Sequence, residues 1–217
     1  MSEVFITGGT GYIGSRLIPL LTGRGHTVRA LVRAGSGSRL PQGALPLTCS
    51  PLESSTFFPF LTPGSTFVQL LGVPHPSPSK AEQFSQIDLV SVRESVSAAQ
   101  KSGAGHFIYL SVAHPAPAMH AFVAVRSEGE DLIRASGMNA TILRPWYVLG
   151  PGHRWPYLLL PVYWICERIP ATREGARRLG LVTIGQMVSA LLSAVETPPR
   201  GVRILDVDGI RHPIPLP

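Results

Sequence analysis

The stretch "ITGGTGYIG", residues 6–14, decides how this chain is read. It sets Gly8, Gly11 and Gly14 three residues apart, directly after an apolar run and directly before a helical pattern. At such a junction the first glycine permits a tight turn, the second lets a diphosphate approach the backbone, and the third lets the helix press on the strand. The first turn of that helix carries unpaired amides and positive potential, which suit phosphate. A glycine triplet alone is a weak signal. Its place at the first strand–helix junction is what points to a dinucleotide.

Working outward, apolar strand-like runs alternate with helical patterns along the whole chain. Strands are expected at 3–8, 27–33, 44–48, 66–73, 106–112 and 140–145, and helices at 12–23, 80–102, 118–136, 156–168 and 185–196. Continuous apolar strands joined by helical crossovers imply a parallel sheet covered on both faces, and right-handed crossovers make it doubly wound. The expectation is an α/β, Rossmann-type fold in one domain over 1–217. A dinucleotide-binding core would span 1–150, and a small C-terminal segment, 151–217, would cover the substrate. Pro19 should kink the first helix by removing a backbone donor. Two proline-rich loops, "GVPHPSPSK" (72–80) and "AHPAPAMH" (113–120), follow the carboxyl ends of strands, where open α/β sheets bind ligands.

The composition is that of a folded protein, with 44% hydrophobic and 15% charged residues in 217. Net charge is +6, but the arginines are scattered and Lys80 and Lys101 are the only lysines, so no nucleic-acid stripe is indicated. Cys49 and Cys166 have no metal-type spacing and read as reduced thiols of a cytoplasmic protein. No metal site is expected. No leader is expected, since Glu3 falls immediately before the first apolar run, and the greasy stretch 155–165 is about half the length of a membrane span. The longer stretch "WPYLLLPVYWICERIPATREGARR" (155–178), apolar and aromatic and then basic, reads first as a substrate lid or a homodimer face; a helix lying on a membrane surface ranks below both.

The second strand refines the cofactor. An NAD site usually ends this strand with an acid on the ribose hydroxyls. Here no Asp or Glu occurs between Glu3 and Glu53; Arg33 stands at that place, followed by Gly35, Ser36, Gly37, Ser38 and Arg39. A guanidinium among small hydroxyl residues suits a 2′-phosphate. NADP(H) is therefore favoured, with NAD(H) as the alternative.

In "TGGTGYIG" (7–14), "ALVR" (30–33), "HFIYLSV" (106–112), "EGEDLIRASGMNATILRP" (128–145) and "RLGLVTIGQMVSALLSAVE" (178–196), the chain resembles the atypical branch of the short-chain dehydrogenase/reductase superfamily. That branch holds NmrA-like, NAD(P)H-binding and epimerase/dehydratase-related proteins. The resemblance implies that Gly8, Thr10, Gly11, Tyr12, Ile13 and Gly14 form the diphosphate loop, and that Arg33 recognises the 2′-phosphate. It sets Ser50 near the adenine, where many relatives carry an aspartate. Leu71, Gly72 and Val73 would lie along the cofactor, and Ser111 would be the active-site serine. Arg144-Pro145 and the following "WYVLGPG" would reach toward nicotinamide and substrate.

The departure is in the catalytic pair. Relatives that oxidise or reduce carbinols use Tyr-x-x-x-Lys, in which the lysine lowers the tyrosine pKa. Here the same register holds Phe122 and Arg126, and the five tyrosines, 12, 109, 147, 157 and 163, are each followed four residues later by something other than lysine. Arg126 can anchor ribose or phosphate but cannot shuttle protons near neutrality. Replacement general acids are sought among His75, His114, His120 and His153, with His114 and His120 best placed beside Ser111. Two readings follow. One is an NADP(H)-dependent oxidoreductase acting on an unknown small acceptor, such as a quinone or flavin. The other is a non-catalytic dinucleotide sensor or docking protein of NmrA-like type. Nucleotide-sugar epimerisation ranks third, because it needs the missing tyrosine.

Overall fold

The structure is a computed structural model that describes residues 2–152, 160–166 and 168–215. Its centre is a seven-stranded, wholly parallel sheet in the order β3-β2-β1-β4-β5-β6-β9. The strands are β1 (Glu3–Thr7), β2 (Thr27–Val32), β3 (Ala44–Thr48), β4 (Thr66–Gln69), β5 (His106–Leu110), β6 (Ala140–Leu143) and β9 (Val202–Leu205). The order reverses between β1 and β4, the switch point at which such sheets bind ligands. A separate pair, β7 (Tyr147–Leu149) and β8 (Leu181–Thr183), lies outside the main sheet.

Alternation along the strands feeds two cores. Val4 and Ile6 face one way and pack with Leu17, Ile18 and Leu21 of α1 (Gly14–Gly23) and Met187 and Leu191 of α7 (Ile184–Glu196). Phe5 faces the other way and joins Phe67, Phe107 and Tyr109, with Phe67 and Phe107 stacked at 5.4 Å. Helix α7 is started by Thr183, whose hydroxyl accepts from the Gln186 amide while the Gln186 side chain answers in a capping box.

The expected elements are present, with instructive differences. Residues 12 and 13 belong to the glycine turn, and α1 runs through Pro19 in a helix that starts at Gly14. The fourth strand ends at Gln69 because the next segment leaves the ladder: the Val73 amide donates to the Asp88 carboxylate at 2.9 Å. The helix expected over 80–102 is α2 (Ala81–Gln83) and α3 (Val90–Ser102) joined by a π-helical stretch, Phe84–Leu89. Helix α4 (His120–Ala135) buries Val125, Arg126, Gly129, Glu130 and Ile133, a helical stripe that carries two charges. The helix expected at 156–168 is described only as α5 (Leu160–Cys166); its remainder falls partly outside the described residues. Sequence periodicity missed α6 (Pro170–Arg178), α8 (Val207–Arg211), and strands β7, β8 and β9.

Candidate functional site

The glycine loop is shaped by its lack of side chains. Gly8 has φ +73°, and a Cβ there would come within 2.9 Å of the Leu70 carbonyl group. A Cβ on Gly14 would sit 2.4 Å from the Gly8 oxygen, so α1 could not approach β1 as it does. The Gly11 amide donates to the Gly8 oxygen at 2.9 Å and closes the turn. Tyr12 packs beneath the Arg16 guanidinium, 4.2 Å from its ring centroid, and against Gly150 beyond β7. Ile13 packs on the core, and Thr10 is half-buried in the same turn. Arg33 is exposed immediately after β2; beside it, Arg39 donates to the hydroxyl of buried Ser36 at 2.7 Å. Ser50 is exposed after β3, where its carbonyl accepts from the Thr56 hydroxyl.

A buried polar chain links these strand ends. Thr7 donates to Gln69, whose amide donates to Ser91 at 2.9 Å, and Ser91 donates to the Asp88 carbonyl at 2.9 Å. The Asp88 carboxylate holds Arg126 at 2.5 Å. Burial pushes the Asp88 carboxyl up, against the pull of Arg126 and the Val73 amide. Arg126 also donates to the Leu110 carbonyl at 2.7 Å and lies over the rings of Tyr109 and Phe122. Its place modifies the expected role: the guanidinium ties α4 to β5 and to the π-helical stretch that carries Asp88, and its Nε is buried without a hydrogen-bond partner among the described residues. Gly72 follows from it, since a Cβ there would meet Arg126 Nη2 at 2.2 Å. Leu71 donates weakly to the Thr7 hydroxyl at 3.4 Å, and Phe122 packs on Phe84 at 5.0 Å as a wall.

Sequence reading missed the second hub. Glu130, with its side chain fully buried, accepts from Ser111 at 2.6 Å, from Arg134 at 2.7 Å and from Arg144 through both carboxylate oxygens. His114 Nε2 lies 3.2 Å from the same oxygen that Ser111 uses. Burial would raise this carboxyl, but hydrogen bonds from Arg144 and Ser111 outweigh it and hold it at about 2. Ser111, which the resemblance implied to be the active-site serine, thus commits its single hydroxyl proton to Glu130. The available signal was spacing: Arg126, Glu130 and Arg134 recur every four residues on one helix face. Of the other histidines, His120 is exposed in the first turn of α4, His75 is exposed at φ +49° in the β4 loop, and His153 lies outside the described residues.

Beyond β6, a cavity of about 700 Å³ is lined by Trp146, Tyr147, Tyr163, Cys166, Ala176 and Leu179, with Thr172, Glu174 and Arg178 among its polar groups. Arg178 donates to the Pro115 carbonyl at 3.2 Å, which ties the cavity wall to the loop that carries His114.

Residues 4–131 match the model of the NAD dependent epimerase/dehydratase family. The chain belongs to that family. The match bears out the resemblance to an epimerase-related branch of the short-chain dehydrogenase/reductases. A curated relative, the ceramide reductase of Caulobacter vibrioides (strain NA1000 / CB15N), is 25% identical over 209 residues. The alignment takes in 94% of this chain and spans 64% of the length of that reductase. The fold is shared with Bordetella bronchiseptica WbmH in complex with NAD+, at TM-score 0.70 and 21% identity over 95% of this chain and 75% of that one. It is shared equally with MoeE5 in complex with UDP-glucuronic acid and NAD, at TM-score 0.71 and 18% identity over 94% and 76%. No helix among the described residues is long and apolar enough to cross a membrane.

Proposed function

We propose that this chain is an NADP(H)-binding oxidoreductase that works without Tyr-x-x-x-Lys and reduces a small apolar acceptor such as a quinone or flavin. The observation that carries the reading is the aromatic cavity beyond β6, tied to the His114 loop by Arg178. The residues present fit a dinucleotide: Gly8 and Gly14 exclude side chains from the turn, and a Cβ at Gly11 would meet only the Gly8 oxygen. Gly8, Thr10, Gly11, Tyr12, Ile13 and Gly14 would hold the diphosphate, and Leu71, Gly72 and Val73 would flank the rest. Ser50 would lie at the adenine. When bound, the nicotinamide supplies the hydride.

Arg33, exposed after a strand without an acid, favours the 2′-phosphate of NADP(H). His114, part-exposed and oriented by Glu130, is the group able to give a proton to a reduced oxygen. Glu130 is in turn fixed by Ser111 and Arg144, so Ser111 is a positioning residue. His120, at the mouth of the same loop, is a second candidate donor. Trp146, Tyr147 and Tyr163 offer faces for a flat acceptor, whose reduction draws less on a protein acid because solvent can supply the proton. A relative named as a reductase supports the redox reading.

One observation favours a second reading. Arg126 and Ser111 are both engaged by internal carboxylates, which suits a protein that binds the dinucleotide without turnover, as a sensor or docking module. Calorimetry with NADPH, NADP+, NADH and NAD+ comes first. NADPH consumption is then followed with a panel of quinones, flavins and a ceramide-type lipid. Turnover that falls in His114→Ala at saturating cofactor supports the enzyme. Tight binding with no turnover on any acceptor sinks it in favour of the sensor.

A further inference from the structure

The inner faces of α5 and α6 line the cavity through Tyr163, Cys166 and Ala176. Their outer face presents side chains that a water-facing surface does not need. Trp164 is 60% exposed, Ile165 52% and Ile169 46%, all within six residues. Cations are interleaved with them: Arg168 lies 3.4 Å over the Trp164 ring, and Arg177 is exposed on α6. Among the described residues the exposed acid of this segment is Glu174, which lines the cavity and lies 3.7 Å from Arg178.

We infer that this outer face docks on the surface of an anionic lipid bilayer. Tryptophan and isoleucine side chains gain by leaving water for the boundary between headgroups and acyl chains, and helices that lie at this boundary combine such residues with arginine. A guanidinium stacked on an indole places its charge at headgroup level while its stem covers apolar surface. Charge complementarity selects the partner: a cluster of arginines on a chain of net charge +6 is attracted to anionic headgroups within a Debye length. Among the described residues neither α5 nor α6 is long enough to span a bilayer, which suits contact with one leaflet. Docking this way brings the cavity wall to the lipid surface. If the proposed acceptor reduction holds, a bilayer-dissolved quinone or lipid carbonyl then has a short path to it; this consequence rests on that reading, whereas docking does not.

The test uses the full chain and sedimentation with vesicles of phosphatidylcholine, with and without phosphatidylglycerol. Binding is expected only with phosphatidylglycerol and should weaken as salt is raised. Trp164→Ser with Ile165→Ser should lower the partition coefficient by about tenfold or more, by removing the inserted apolar surface. Arg168→Gln with Arg177→Gln should lower it by about fivefold or more, from two lost surface charges. Both variants should keep the wild-type far-ultraviolet circular dichroism and melting temperature, because the substituted side chains are exposed. Brominated lipid should quench the wild type more than Trp164→Phe. Failure to bind phosphatidylglycerol vesicles, or binding unchanged in the Trp164/Ile165 variant, overturns the inference. A concentration-dependent dimer that this variant dissolves also overturns it, by assigning the face to a second copy of the chain. None of these readouts requires turnover, so they fail or succeed independently of the oxidoreductase reading.

Discussion

Glu130→Gln tests whether the buried carboxylate hub is an electrostatic device of the folded state. The substitution keeps size and shape but removes the charge that Arg144 and Arg134 face and the acceptor that Ser111 and His114 share. The carboxyl moves from an ordinary value of 4.5 to about 2 in the fold. Because the folded value is the lower one, the folded state favours the ionised form, and the contribution is complete above the unfolded value. That difference is worth about 3 kcal/mol at pH 7. It should shrink to between about 1 and 2 kcal/mol at pH 3 and to well under about 1 kcal/mol near pH 2, as the folded carboxyl takes up its proton. Urea unfolding of wild type and Glu130→Gln, repeated from pH 7 downward, measures the gap directly. A melting-temperature loss of about 6–12 °C should accompany it at pH 7. The subtraction cancels other acid-sensitive groups, such as buried His106, whose imidazole is depressed to about 4 by burial. A gap below about 1 kcal/mol at pH 7, or one that stays constant down to pH 2, would refute the reasoning.

Further outcomes follow from the same geometry. Arg33→Asp should weaken NADPH by about tenfold or more while leaving NADH unchanged in calorimetry, because it replaces a phosphate partner with an acid; equal loss of both cofactors would withdraw the 2′-phosphate assignment. Asp88→Ala should cost about 3–5 kcal/mol in urea unfolding, because it leaves Arg126 buried beside no carboxylate, and adding Arg126→Met should recover most of that loss. If the double variant is as unstable as the single, the pair acts through packing and not through charge. Gly14→Ala should abolish dinucleotide binding and lower stability by about 2–4 kcal/mol, since its Cβ would meet backbone of Gly8 and Gly9 that cannot step aside. Wild-type affinity in this variant would show that α1 can retreat from the strand.

Much of the fold was legible in one dimension. Strand period, helix period and glycine spacing are set by neighbours a few residues away, so β1 to β6, α1, α4 and α7 could be placed from local pattern alone. The short strands β7 and β8, three residues each, carry too little pattern to be seen, and they pair only because the chain returns from 149 to 181. Arg126 was read as a cofactor anchor because its place in the helix matches a lysine; nothing local to it reveals Asp88, 38 residues away.

What the sequence by itself determined is the frame: a doubly wound parallel sheet, a glycine turn at 8–14 expected to take a diphosphate, and an arginine in place of an acid after the second strand. Those features are written in spacing and residue type. The tertiary structure alone decided which charges are spent inside. Crossover connections bring the ends of β4, β5 and β6 together, and there Asp88 takes Arg126 while Glu130 gathers Ser111, His114 and Arg144. Buried charges must find partners wherever the fold supplies them, because desolvation without a partner costs more than the chain can sustain. The fold, not the motif, therefore left His114 part-exposed beside Glu130 and committed the hydroxyl of Ser111 to the same carboxylate.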